Sequence, residues 1–270
     1  MIDSPDFLRD AVSRRTFLAR MTAAGLGTAA AALIGGCGGS NGGGSTTPGT
    51  GLTSFADQKN FPGIPGANEN VVVLNYALTL ETLEADLYRQ ALNIAAGLPI
   101  ATALPADVSS YSQAVGNGSL SPALAPVAFL YLQQYAGVEA AHRDFLRAAI
   151  ASKGGTPVPA NPKGYNIGLA AGTDLGTIMT LIRTVEETGV TAYLGAAGFL
   201  TDATLVQIAA SIYTTEARHS AGVNYVLGLP TGPTGAAGGA QPAPGVVPGE
   251  FEFAQTPKAV LAAVKPFFIM

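Results

Sequence analysis

Tryptophan is absent from this 270-residue chain, and cysteine and histidine nearly so: one and two residues. The single cysteine, Cys37, excludes an internal disulfide framework. Charged residues make up 12% against 48% hydrophobic, about half the usual charged share. Such a chain can build a large apolar core, and a charge placed inside it needs a partner. The net charge is −4, with no basic block after the N-terminus, which argues against nucleic acid as a partner. No alternating apolar–polar run signals a β-strand. What is in excess is glycine (34) and proline (18), gathered in a few stretches, which leaves about 160 residues for a compact domain.

The two histidines carry the chemistry. Each sits three residues after a glutamate, in Glu139-Ala140-Ala141-His142 and Glu216-Ala217-Arg218-His219. With nine glutamates in the chain, chance would place both histidines so roughly once in 900. Residues at i and i+3 on a helix share a face, so each motif presents a carboxylate and an imidazole that can hold one cation. The bland alternative is a pair of solvated surface contacts worth a few tenths of a kcal/mol each.

Apolar residues at helical spacing (Val72, Tyr76, Leu80, Leu83, Leu87, Leu92) predict a first helix over about 68–96. A polar loop over 97–121 follows. Ser121-Pro122 is expected to open a second helix running to about 152. Residues 154–173, broken by prolines and glycines, form the connection to a third helix, capped at Thr173-Asp174 and running to about 199. Thr201-Asp202 caps a fourth, over about 203–227. The reading is all-α: a four-helix bundle with a long crossover between helices two and three. Residues 229–250 are Pro/Gly-rich and irregular; Thr256-Pro257 to Val264 reads as a short helix, with Phe267, Phe268 and Ile269 packing back on the bundle. Helices one and three share a further repeat, in which Glu81 precedes Tyr88 by seven residues and Glu186 precedes Tyr193 by seven. Seven residues are almost two turns, so each tyrosine lies on its glutamate's face.

The order Glu, Glu-x-x-His, Glu, Glu-x-x-His resembles the ferritin-like di-iron and di-manganese carboxylate proteins over about residues 70–228. The wording Leu74-Asn75-Tyr76-Ala77-Leu78-Thr79-Leu80-Glu81 and Val190-Thr191-Ala192-Tyr193-Leu194-Gly195 is similar to an exported branch of that superfamily associated with desiccation and stress. The resemblance implies a dinuclear Fe or Mn centre held by Glu81, Glu139, His142, Glu186, Glu216 and His219. Glu139 and Glu216 would bridge, each histidine would bind one metal, and Glu81 and Glu186 would be terminal or bridging. Oxygen and imidazole donors suit Fe or Mn, and the lack of thiolate argues against structural zinc. Tyr88 and Tyr193 are candidates to hydrogen-bond the bridging carboxylates, or are simply core tyrosines. Glu84 and Glu187 read as solvated surface charges, each the alternative should Glu81 or Glu186 prove to face away.

The N-terminus reads as an address. Ser13-Arg14-Arg15-Thr16-Phe17-Leu18 precedes a short apolar run, Met21 to Ile34, too short to span a bilayer, which takes about 20 apolar residues. This is the pattern of a twin-arginine export signal. Leu33-Ile34-Gly35-Gly36-Cys37 resembles a lipobox, with lipid on Cys37 and a flexible Gly/Ser/Pro tether over 38–66. The expected layout is therefore 1–37 signal, 38–66 tether, 67–228 bundle and 229–270 tail, with residence in the periplasm or cell envelope. A homo-oligomer is compatible with it; a closed storage shell fits poorly with a lipid tether. Two functions follow: a di-metal protein reacting with O2 or peroxide as ferroxidase, catalase or oxidase, or a non-enzymatic structural or stress-protective envelope lipoprotein on the same scaffold.

Overall fold

The computed structural model describes residues 59–232, 252 and 254–270. The arginine pair, Cys37 and most of the tether lie outside these residues. Among the described residues the fold is carried by five helices: α1 (Glu69–Ala95), α2 (Ala125–Ser152), α3 (Leu175–Ala197), α4 (Ala203–Val226) and the short α5 (Pro257–Val264), followed by a 3-10 turn, Lys265–Phe267. No strand occurs among the described residues; Tyr165 and Phe268 form one isolated antiparallel bridge. α1 packs mainly on α2 and α3 mainly on α4, with further contacts joining α1 to α3 and α2 to α4. This is the four-helix bundle with a crossover that the pattern predicts.

Side chains start the helices where the sequence places caps. Asn68 accepts from Val71 N (3.1 Å), Asp174 from Thr177 N (2.9 Å), and Asp202 from the N–H groups of Thr204 and Leu205. Each satisfies first-turn donors that have no helical acceptor. α2 differs. Ser121 accepts from Leu124 N (3.3 Å) and tops a preceding turn, and the helix itself begins at Ala125 with Pro126 in its first turn.

The connections are more apolar than their composition suggests. In the 97–121 segment, Leu104, Val108, Tyr111 and Val115 pack against the core. Two buried amides of α1 hold the crossover. Asn75 Nδ2 donates to Pro65 O (2.9 Å) and Thr156 O (3.1 Å) while its Oδ1 accepts from Val158 N (2.7 Å). Gln90 donates to Tyr165 O (2.9 Å) and accepts from Ile167 N (3.1 Å). At the C-terminus Phe267 and Phe268 pack on the core, whereas Ile269, expected to do the same, is exposed. Its backbone N–H instead donates to Gly164 O (3.2 Å).

Candidate metal centre

Each of the four long helices sends polar side chains into the apolar interior at mid-length. Glu81 of α1, Glu139 of α2, Glu186 of α3 and Glu216 of α4 are all fully buried (0–1% exposed), and His219 nearly so. His142 keeps a small opening, with 14% of its side chain exposed. All six residues singled out from the sequence meet at one place.

His142 Nδ1 lies 3.0 Å from Glu139 Oε2, 3.3 Å from Glu216 Oε1 and 3.4 Å from Glu81 Oε2. His219 Nδ1 lies 2.7 Å from Glu139 Oε1 and 3.4 Å from Glu186 Oε2. Glu139 thus divides its two oxygens between the two histidines. Two groups of donor atoms result, Glu81–Glu139–His142–Glu216 and Glu139–Glu186–Glu216–His219, each with its atoms within 4.8 Å of one another and with Glu139 and Glu216 common to both.

These atoms are close without being hydrogen-bonded in proportion. Glu81 Oε2, Glu139 Oε1, Glu186 Oε2, both oxygens of Glu216 and His219 Nδ1 are buried with no hydrogen-bond partner, so even the 2.7 Å approach of His219 to Glu139 lacks hydrogen-bond alignment. A buried polar atom left unpaired costs about 1–3 kcal/mol. Donor atoms that crowd together but point past one another suit cations, which would satisfy several at once. The all-oxygen-and-imidazole donor set fits Fe or Mn.

Electrostatics say the same. Burial pushes Glu81 up to about 7, partly offset by His142. Burial, then the charges of Glu139 and Glu186, hold Glu216 well above the usual carboxylate range. Glu186 is raised as well, by burial first. Burial acts to raise Glu139 too, but the hydrogen bond from His142 and the close imidazole of His219 outweigh it and leave that carboxyl low. Burial alone would lower both imidazoles; the surrounding carboxylates, led by Glu139, override it and raise His142 to about 12 and His219 to about 9. Without a metal, the site keeps its negative charge tolerable only by holding protons.

Neighbouring residues fix the donors. Tyr88 of α1 donates to Glu186 Oε1 of α3, and Tyr193 of α3 donates to Glu81 Oε1 of α1 at 2.5 Å. The two bonds cross between helices and reach Glu186 and Glu81, the two carboxylates that each belong to only one donor group. Tyr135, missed in the sequence, stacks on His219 (centroids 3.8 Å, planes 20° apart) and is itself stacked by Tyr131 at 5.3 Å. A Cβ on Gly222 would fall 2.4 Å from Tyr135 Oη, so glycine there admits the stack. Tyr135 lies four residues before Glu139, on the same helix face, a signal present in the sequence.

Two expectations are corrected. Glu84 and Glu187 are not surface charges: both are buried, at 5% and 7% exposure. Glu187 forms an ion pair with Arg183 at 2.7 Å, and Arg183 in turn donates to buried Asn224 (2.6 Å). Glu84 faces Glu216 across Gly189, where a Cβ would fall 3.2 Å from Glu84 Oε1 and 2.9 Å from Glu216 Oε2. Its position three residues after Glu81 puts it on the same face, the spacing that marks the histidine motifs.

No curated protein matches the chain significantly. A family profile does: the ferritin-like domain, over residues 69–229, from the start of α1 to just past α4. That span covers more than half of the sequence, and the chain belongs to the ferritin-like domain family.

Proposed function

We propose that the chain holds two Fe or Mn ions between Glu81, Glu139, His142 and Glu216 on one side and Glu139, Glu186, Glu216 and His219 on the other, and that this centre reacts with O2 or peroxide in the manner of a ferroxidase, catalase or oxidase. The observation that carries the reading is Glu139, whose two oxygens face two different histidines. Four carboxylates balance two divalent cations, which explains how so much charge sits in an apolar bundle. When bound, two such ions supply paired one-electron changes to an O–O bond. The residues of the chain prepare that chemistry. The tyrosine hydroxyls hold the unshared carboxylates in place, Tyr135 fixes the plane of the His219 ring, and the apolar helices keep bulk water out.

Elemental analysis of the full-length protein tests this, beside a Glu139→Ala/His142→Ala variant. About two Fe or Mn per chain, lost in the variant, is the expected result. A folded chain that refuses Fe(II) and Mn(II) would leave the structural or stress-protective role as the account.

Export by the twin-arginine route through Arg14-Arg15, with a lipid anchor at Cys37 and residence in the cell envelope, belongs to the same proposal. The N-terminal sequence supports it, and a route that carries folded proteins suits a chain loaded with metal beforehand. The stress-associated branch is proposed on the wording around Glu81 and Tyr193. Cys37→Ser is expected to move the protein from the membrane to the soluble fraction.

A further inference from the structure

Between α1, α3 and the C-terminal segment lies a cavity of about 120 Å³, room for several water-sized molecules. Its walls are chiefly aliphatic and aromatic, including Leu83, Val185, Val264 and Phe267. Thr184 and Thr188 also line it, but their hydroxyls donate to the helix carbonyls of Thr180 (3.4 Å) and Thr184 (2.7 Å). Glu84 is the one ionisable group in the lining. It is 95% buried and its Oε2 has no hydrogen-bond partner. Its other oxygen shares with Glu216 Oε2 the space left by the missing Cβ of Gly189. One side chain therefore reaches from the cavity to the metal centre. The C-terminal segment that contributes Val264 and Phe267 is tied down by the backbone: Gln255 N donates to Thr191 O (3.1 Å) and Asn166 N to Phe267 O (2.8 Å).

We propose that this cavity binds a small neutral hydroxylic molecule anchored by Glu84, hydrogen peroxide being the one the adjoining centre can use. The proposal rests on the dinuclear reading above. A hydrated divalent cation would have to shed water against aliphatic walls. An anion would meet the carboxyl groups of Glu84, Glu81 and Glu216. Dioxygen fits by size but makes no use of the Glu84 carboxyl in the lining, whereas an O–H group pairs with it.

The test uses the full-length protein, two cavity-filling substitutions from different lining helices, Thr188→Leu on α3 and Ala263→Leu on α5, and the anchor substitution Glu84→Ala. In metal-free protein, methanol as a hydroxylic probe is titrated while the methyl resonances of Val185 and Val264 are followed by NMR. Saturable shifts in the wild type, lost in the filled variants and weakened in Glu84→Ala, are expected. In Fe(II)-loaded protein, the rate of iron oxidation by hydrogen peroxide is measured at matched metal content. Each peroxide takes one electron from each of two ferrous ions and, with two protons, leaves as two waters. The filled variants are expected to react at least tenfold more slowly. Unchanged peroxide rates at unchanged metal content, in whichever filled variant folds, overturn the proposal even if methanol binds. A wild-type chain that takes up no metal sinks the dinuclear reading instead, and the methanol titration then decides the cavity by itself.

Discussion

The two halves of the bundle carry the same donors in different surroundings. Glu81 and Tyr88 on α1 correspond to Glu186 and Tyr193 on α3, and Glu139 and His142 on α2 correspond to Glu216 and His219 on α4. Around them the correspondence stops. Four and eight residues before Glu139 stand Tyr135 and Tyr131; four and eight before Glu216 stand Ile212 and Ile208. Three residues after Glu81 stands Glu84; three after Glu186 stands Gly189. His219 is accordingly stacked by an aromatic ring and almost sealed, whereas His142 is partly open. The donors are set by what the centre must hold, and the neighbours by what each side of it does. Two ions bound here would be inequivalent.

The largest test separates shared donors from unshared ones. Glu139→Ala is expected to abolish binding of both ions, whereas Glu81→Ala and Glu186→Ala each weaken one, read by metal stoichiometry in isothermal titration. Equal losses from all three would break the assignment of Glu139 as common to both halves.

Acid–base behaviour sharpens the contrast next. In metal-free protein, His219 is expected to lose its proton near pH 9 while His142 holds its own to about pH 12, followed by NMR of the imidazoles. Both values lie above that of a free imidazole, about 6.5. Native protein therefore binds more protons than unfolded chain above pH 6.5. Stability from this source is full below that pH and falls as pH rises, by about 1.4 kcal/mol per unit for each excess proton. The melting temperature of the metal-free chain should drop between pH 6.5 and 9, and metal, which displaces these protons, should remove that slope. A metal-free melting temperature that rises over this window contradicts the account.

Gly189→Ala tests the broken symmetry at Glu84. Helix propensity alone favours alanine by about 1 kcal/mol. The new Cβ would stand 2.9 Å from Glu216 Oε2, on a fully buried side chain, and overpacking costs about 1–3 kcal/mol. A net loss of stability in denaturant titration is expected, partly recovered in Glu84→Ala/Gly189→Ala. The smallest effect is expected from Tyr135→Ile, which copies Ile212 into the other half. It should weaken the ion at His219 by about tenfold and leave the other unchanged.

Much of this was legible in the sequence for a physical reason. Scarcity made two histidines at a fixed offset from glutamate a strong signal, and helical periodicity gave α1, α3 and α4 close to their bounds. α2 was misjudged at its start because Pro122 and Pro126 both suit a first turn, and Ser121 caps the turn ahead of the helix. Glu84 reads as a surface charge because a lone glutamate on a long helix ordinarily faces water; its three-residue offset from Glu81 marks the inward face only once Glu81 itself is placed there. Tyr135 and Gly222 lie on different helices, and no one-dimensional pattern shows that a missing Cβ on one admits a ring from the other. The N-terminal signal lies outside the described residues and rests on its sequence.

The central claim is that two ions share Glu139. Anomalous diffraction from crystals of the Fe(II)- or Mn(II)-loaded protein tests it most directly. The account predicts two peaks, one beside His142 and one beside His219, with one oxygen of Glu139 on each. A single peak, or two peaks that do not both contact Glu139, would contradict it.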